Sequence, residues 1–247
     1  MLFRSALVFV LLAMLTPSAS PALQRFRGLL PSSGQIPYDG HFVLARLYYP
    51  FYPGWSYDFP EMEDNMGKIL RSLTLIRPHP DGGNIFRMDD PELLKFPVAY
   101  LSEPGYWYPS ESEVIGLRNF IQKGGFLWVD DFHFPNEWQV FEDAMMRVLP
   151  HARIERLKLS HPIFHQFFEI QSLELKYPGA LGEQGLIGEF YGIHEENDPK
   201  RRLMVIIDYN MDIGDYMEWS AVGFYPVDPT NEAFKFAVNY LIYGLSH

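Results

Sequence analysis

The segment from Ser110 to Val129 restricts the fold more than any other part of the sequence. Ser110 and Glu113 form the S-x-x-E pattern of a helix N-terminal capping box, and apolar residues then recur at helical spacing. Gly124 stands where a helix end favours a left-handed residue, and the apolar strand FLWV begins two residues later. A helix followed at once by a buried strand is typical of α/β proteins with a parallel sheet.

The same alternation of apolar strands and amphipathic helices runs through the rest of the chain. Strands are predicted in HFVLARLYYP, TLIRP, FPVAYLSEPG and RRLMVIIDY, and helices in EMEDNMGKILRSLT, NEWQVFEDAMMRVLP, HPIFHQFF and DPTNEAFKFAVNYLIYG. In the last of these helices, Asp228 is the expected N-cap and Gly244 the expected end. The pattern predicts an α/β fold, namely a three-layer sandwich with a mostly parallel, doubly wound sheet.

The N-terminus has the pattern of an export signal. Arg4 precedes an apolar run of about ten residues, and small residues stand at positions 20 and 22, the spacing that signal peptidase prefers. We therefore predict a signal peptide over residues 1–22 and a location in the periplasm or cell envelope, with an uncleaved anchor as the alternative. Because the run is shorter than the ~20 residues of a spanning helix, no membrane span is expected in the mature chain.

Composition sets the remaining organisation and excludes several classes of function. A chain of 247 residues that is 47% hydrophobic can form one sizeable core, so we predict a single domain over 41–247 after a Pro/Ser/Gly-rich linker over 23–40. The net charge of −11 argues against nucleic acid and anionic membranes as partners. The absence of cysteine excludes disulfides, thiolate metal sites and a cysteine nucleophile. With no nucleotide-binding motif either, no organic cofactor is predicted.

Acidic residues follow four of the predicted strands, at the point where each strand ends. They are Asp58 after the first strand, Glu103 after VAYLS, Asp130 and Asp131 with His133 after FLWV, and Asp208, Asp212 and Asp215 with Asn210 in VIIDYNMDIGD. Because the carboxyl ends of parallel strands lie along one edge of a sheet, we expect these side chains to converge there.

Aromatic residues crowd the same loops, and rings beside carboxylates are typical of saccharide sites. The rings are Trp55, Tyr57, Tyr106, Trp107, Tyr108, Phe132, Phe134 and Trp138. The first hypothesis is therefore a cleft that binds a small polar ligand, a saccharide or peptide. Its expected lining is Arg46, Asp58, Glu103, Trp107, Asp130, Asp131 and His133, with Arg46 as the counter-charge.

Two other functions stay open from the sequence. A metal-dependent hydrolase would use Asp130, Asp131 and His133 with a histidine at position 161 or 165, and the expected ligands of a divalent metal are Asp131, His133 and His161. A protein-interaction module of the cell envelope is the third hypothesis. The ordinary explanation of VDDFH is a turn stabilised by its own acidic side chains.

Several ordered motifs carry a resemblance to a known family. ARLYYP, GWSYDFPEMEDN, YLSEPGYWYPSESEVIGLRNFIQKGGFLWVDDFH, HPIFHQFFEI and AFKFAVNYLIYGLSH together resemble the bacterial family called domain of unknown function 4159, over about residues 41–247. The resemblance implies a class I glutamine amidotransferase-like, flavodoxin-like sandwich, an exported or envelope setting and no established activity. That superfamily often carries a nucleophilic cysteine at a strand-to-helix elbow; this chain has no cysteine, which excludes glutamine hydrolysis by that route.

Overall fold

A computed structural model describes residues 36–247, so the predicted signal peptide and most of the predicted linker lie outside the described residues. The strands are β1 (Ala45–Tyr48), β2 (Asn84–Arg87), β3 (Val98–Ser102), β4 (Phe126–Phe132), β5 (Glu155–Arg156), β6 (Glu189–His194) and β7 (Leu203–Tyr209). The α-helices are α1 (Glu61–Leu73), α2 (Glu111–Gln122), α3 (Phe134–Val148), α4 (Ala180–Glu183), α5 (Ile213–Glu218) and α6 (Val227–Ser246). Among these residues, no helix has both the length and the apolar character that crossing a bilayer requires.

The strands form one mixed sheet in the order β2-β1-β3-β4-β7-β6-β5. The five strands from β2 to β7 in this order are parallel, while β6 and β5 add an antiparallel edge. The prediction of an α/β fold with a mostly parallel sheet is confirmed. The antiparallel edge was not predicted, because its short strands alternate less clearly than the central ones.

Helices cover both faces of the sheet. Helices α1, α5 and α6 pack on one face, where the strands contribute Tyr100, Trp128 and Ile206. Helices α2 and α3 pack on the other face, against Leu101, Val129 and Ile207. This arrangement is compatible with the predicted three-layer sandwich.

The predicted capping box is confirmed at the start of α2. The Ser110 hydroxyl accepts from the Glu113 backbone N–H, and the Ser110 backbone N–H donates to the Glu113 carboxylate at 2.9 Å. Gly124 has the expected positive φ of 111°, which a residue with a side chain rarely adopts. The chain therefore turns sharply from α2 into β4, the strand that carries the paired acids.

One predicted strand and the predicted ends of the last helix were wrong. TLIRP is not a strand, because its apolar run is short and leaves Leu75 exposed; only Pro78 forms an isolated bridge, to Phe42. The outer strand next to β1 is instead NIFR at 84–87, where no strand was predicted. Helix α6 begins at Val227 after Pro226, which places Asp228 inside the first turn, and it continues past Gly244.

Candidate functional site

The carboxyl edge of the parallel strands brings three acidic side chains into one buried group. One carboxylate oxygen from each of Asp58, Asp131 and Asp212 lies within 4.8 Å of the other two. They come from the loop after β1, from the end of β4 and from the N-terminus of α5. Their exposed fractions are only 4%, 6% and 6%. We call these three residues the acidic triad.

An irregularity in β4 aims Asp131 toward this triad. Asp131 has a φ of +60°, and the pairing of β4 with β7 shifts register between Val129 and Phe132. In a regular strand Trp128 and Phe132 would share a face, yet Phe132 packs on the opposite side of the sheet. Asp131 is therefore the extra residue of a bulge, a device that redirects a side chain.

Two further acids at this edge are enclosed by hydrogen-bond donors. Asp130 accepts from the backbone N–H groups of Ile213 (3.1 Å) and Gly214 (2.9 Å) and from the Tyr100 hydroxyl (3.0 Å). Burial raises its pKa to about 6, and these donors act in the opposite direction. Asp130 thus anchors the start of α5 to β4.

Asp208 is held in the same way one strand further along. Its carboxylate accepts from the Trp128 indole at 2.7 Å and from the Tyr240 hydroxyl at 3.0 Å. Burial and the charge of Asp130 raise its pKa, and the two donors lower it. Each Asp208 oxygen has a donor from the core, so this acid ties α6 to the sheet.

The acidic triad has far fewer donors. Asp131 accepts from the Tyr177 hydroxyl at 3.1 Å, and Asp212 accepts from the Asp215 backbone N–H at 2.7 Å as the N-cap of α5. Asp58 Oδ2 is buried and has no hydrogen-bond partner among residues 36–247. Burial first, and then repulsion from neighbouring carboxylates, raises the pKa of Asp131 and Asp212 well above the usual range. Burial also raises the pKa of Asp58, although Arg46 opposes this shift.

Arg46 is buried beside the triad, but its short hydrogen bonds are made to other groups. Its Nε donates to Glu63 at 2.7 Å and its Nη1 donates to the Trp55 carbonyl at 2.9 Å, while the distance from Nη1 to Asp58 Oδ2 is 3.9 Å. Glu63 therefore receives the close ion pair. The predicted counter-charge is present but only partly directed at the triad.

Glu103 lies at the rim, next to a tyrosine stack. The residue has a φ of +53° directly after β3, and the Tyr52 hydroxyl donates to its carboxylate at 3.4 Å. Burial and the charge of Glu137 raise the pKa of Glu103 to about 7. The ring of Tyr52 stacks on Tyr106 with centroids 3.9 Å apart, and Tyr57 lies 6.2 Å away.

His133 also lies at this edge, whereas Trp107 does not face it. The His133 ring contacts the Tyr177 ring at 5.3 Å, and its Nδ1 is 3.6 Å from Glu137 Oε2. Tyr177 therefore stands between His133 and Asp131. Trp107 is fully buried in the core beneath α2 and α3, so its ring is not available to a ligand.

The structure separates His161 from the other predicted metal ligands. Its Nε2 lies 3.1 Å from Nε2 of His194, which pairs with Leu203 at the start of β7, whereas Asp131 lies at the end of the parallel β4. The two histidines thus belong to the amino edge of the sheet. His165 is bonded to Glu169 near the surface.

Other residues at the site were missed or only partly predicted. Asp212 was recognised as polar but not assigned to the site, although its position as an N-cap after a strand was a usable signal. Tyr52 and Tyr177 were not predicted. Tyr177 comes from the long connection between β5 and β6, and no local pattern indicates that it reaches Asp131.

Comparison with known proteins identifies a family without an assigned activity. The family model described as Domain of unknown function (DUF4159) matches residues 43–245. The search of curated proteins found no match. The matched region contains every strand of the sheet and all of the site residues described above. The chain therefore belongs to the DUF4159 family.

Proposed function

We propose that the carboxyl edge of the sheet binds a small polar ligand, a saccharide, and does so without glutamine amidotransferase activity. The observation that carries this proposal is the placement of Glu103 beside stacked tyrosine rings at the rim of a carboxylate-rich edge. Stacked rings accept the apolar faces of sugars, and carboxylates accept hydrogen bonds from hydroxyl groups.

The exposure of the rings supports a ligand at this place. Tyr57 is 55% exposed and Tyr106 is 40% exposed, and both rings contact the ring of the partly buried Tyr52, whose hydroxyl donates to Glu103. The neutral form of Glu103 that a pKa of about 7 allows donates a hydrogen bond, and its charged form accepts one. A polyhydroxy ligand satisfies both forms.

The proposed function does not include glutamine hydrolysis through a cysteine, and it retains the predicted export. A cysteine nucleophile is missing from the sequence, so no glutamine-derived thioester forms. Export would place the site in the periplasm or envelope. Fractionation of the native host tests that location, and a purely cytoplasmic protein would contradict it.

A glycan array with the full chain, followed by calorimetric titration of the best hit, tests the binding function. We expect Tyr106→Ala to weaken binding about tenfold, because a stacked ring contributes roughly 1–1.5 kcal/mol. The control is Tyr38→Ala, since Tyr38 is also exposed (55%, compared with 40% for Tyr106) but contacts Phe96 before β3, at the opposite edge. No hit, or equal loss in both variants, contradicts saccharide binding here. Hydrolysis of the bound glycan would favour the hydrolase hypothesis instead.

A further inference from the structure

We propose that the acidic triad of Asp58, Asp131 and Asp212 is a binding site for one hard divalent cation. This site goes beyond saccharide binding and does not depend on it. The predicted ligands His133 and His161 take no part in it. The proposed metal ligands are three carboxylates, whereas the ligands predicted from the sequence combined carboxylate oxygen with imidazole nitrogen.

The geometry of the three carboxylates suits an ion. Their ligand oxygens lie within 4.8 Å of one another, a spacing that a single central cation bridges at normal metal–oxygen distances of about 2.0–2.6 Å. The three side chains come from three separate segments of the chain, which the sheet topology holds at one edge. Local turn formation therefore does not explain why they meet.

An unpartnered oxygen gives independent support. Within the part of the chain that the structure describes, the buried Asp58 Oδ2 has no hydrogen-bond partner. It faces the first turn of α5, where a Cβ on Gly214 would lie 2.7 Å away. Asp212 is the N-cap of that same turn. A buried carboxylate oxygen without a donor is costly, and a cation between Asp58 and Asp212 would remove that cost.

The protein itself supplies little positive charge to the triad. The Arg46 guanidinium forms its close ion pair with Glu63, and its nearest approach to Asp58 Oδ2 is 3.9 Å. The Tyr177 hydroxyl donates a single hydrogen bond to Asp131. Three neighbouring buried carboxylates with these partners either hold protons or hold a metal ion.

The donor set indicates the class of metal. All three ligands are carboxylate oxygens, which favour Mg²⁺, Ca²⁺ or Mn²⁺ over the softer ions that select sulfur or imidazole. Three protein ligands also leave coordination positions open for water or for hydroxyl groups of a ligand. An ion bound at this site could therefore coordinate a ligand directly.

Calorimetric titration of the chelator-treated full chain with MgCl₂, CaCl₂ and MnCl₂ tests the proposal. We expect one ion per chain for at least one metal. Asp131→Asn and Asp212→Asn should each weaken binding at least tenfold, and the double variant should abolish it. Asn preserves side-chain size and is an equally good N-cap at position 212. Circular dichroism establishes that each variant is folded.

Two further variants make the result specific to the triad. Asp81→Asn removes one negative charge from an exposed loop residue and should leave metal affinity unchanged. Glu218→Gln changes a neighbouring acidic group formed with Asp58 and Asp215, and should have a much smaller effect than Asp131→Asn. Absence of saturable binding by all three metals, or binding that survives in the double variant, overturns the proposal. Saccharide titration with and without chelator then tests the other function separately.

Discussion

Asp130 and Asp131 are adjacent in sequence and both buried, yet their surroundings differ. Asp130 accepts three hydrogen bonds from the protein, two of them from backbone N–H groups, and Asp208 likewise accepts two. Asp131 accepts one from a tyrosine hydroxyl and otherwise faces Asp58 and Asp212. The carboxyl edge of the sheet thus contains two acids whose carboxylates have several hydrogen-bond donors and three acids whose carboxylates have few.

This difference separates structural acids from candidate ligand-binding acids. Burial raises the pKa of both groups, so a perturbed pKa does not distinguish them. The supply of donors does distinguish them, because a buried carboxylate with donors on both oxygens is already stabilised and has fewer lone pairs left for a metal or ligand. The following predictions test whether the two groups respond differently to substitution.

Asp130→Ala should cause the largest loss of stability. It leaves the Ile213 and Gly214 N–H groups and the Tyr100 hydroxyl without an acceptor, and each unsatisfied buried group costs about 1–3 kcal/mol. We expect the free energy of unfolding, measured with urea, to fall by about 3–5 kcal/mol. Asp130→Asn keeps one acceptor oxygen and should lose less. A loss below about 1 kcal/mol for the alanine variant would remove Asp130 from the structural group.

Glu103→Gln should change how stability depends on pH. The pKa of Glu103 rises from 4.5 to about 7 on folding, so between these values the folded state holds a proton that the unfolded state has released. Stability of the wild type should therefore fall as pH rises from 4.5 to 7 and level off above 7. In the variant, the free energy of unfolding should fall by roughly 2 kcal/mol less between pH 5 and pH 8 than in the wild type. Urea unfolding at a series of pH values measures this difference. Parallel profiles would show that Glu103 titrates normally.

Asp212→Asn should stabilise the metal-free protein, in contrast to the Asp130 variants. The substitution removes one of three mutually repelling carboxylates and keeps an acceptor for the Asp215 N–H. We expect a gain of about 1 kcal/mol in the free energy of unfolding at pH 7 in the presence of chelator. A loss similar to that of Asp130→Ala would show that the triad is structural as well.

His161→Phe should give the smallest effect, at the other edge of the sheet. Burial lowers the pKa of His161 to about 4, so the unfolded state binds a proton between pH 6.5 and pH 4 that the folded state does not. Wild-type stability should fall over that window as the pH decreases. Allowing for solvent screening of this half-buried pair, the variant should lack roughly 1 kcal/mol or less of that fall in thermal unfolding. If the variant shows the same dependence of stability on pH as the wild type, His194 alone accounts for the fall.

The sequence predicted the sheet and its carboxyl edge for a clear physical reason. Alternating strands and helices require parallel neighbours, and parallel neighbours place Asp58, Glu103 and Asp131 on the same side. The capping box and Gly124 located the start of β4 at Phe126, although the strand continues three residues beyond the predicted FLWV. These features depend on local periodicity, which a sequence displays directly.

Sequence reasoning failed where distant contacts decide the outcome. Asp130 and Asp131 are chemically identical, and their difference depends on a bulge and on donors from α5 and Tyr177. The predicted helix HPIFHQFF, which contains His161 and His165, is only a short 3₁₀ helix over Pro162–His165. Its location at the amino edge follows from strand order, which is a property of the whole chain.

The left-handed backbone at Asp131 has a consequence for how this protein could evolve or be engineered. Glycine is the residue that tolerates a φ of +60° best, and replacing Asp131 with glycine would relieve roughly 1 kcal/mol of conformational strain. The same change would remove one of the three carboxylates of the acidic triad. In the proposed cation site, backbone stability and metal binding therefore favour different residues at this position.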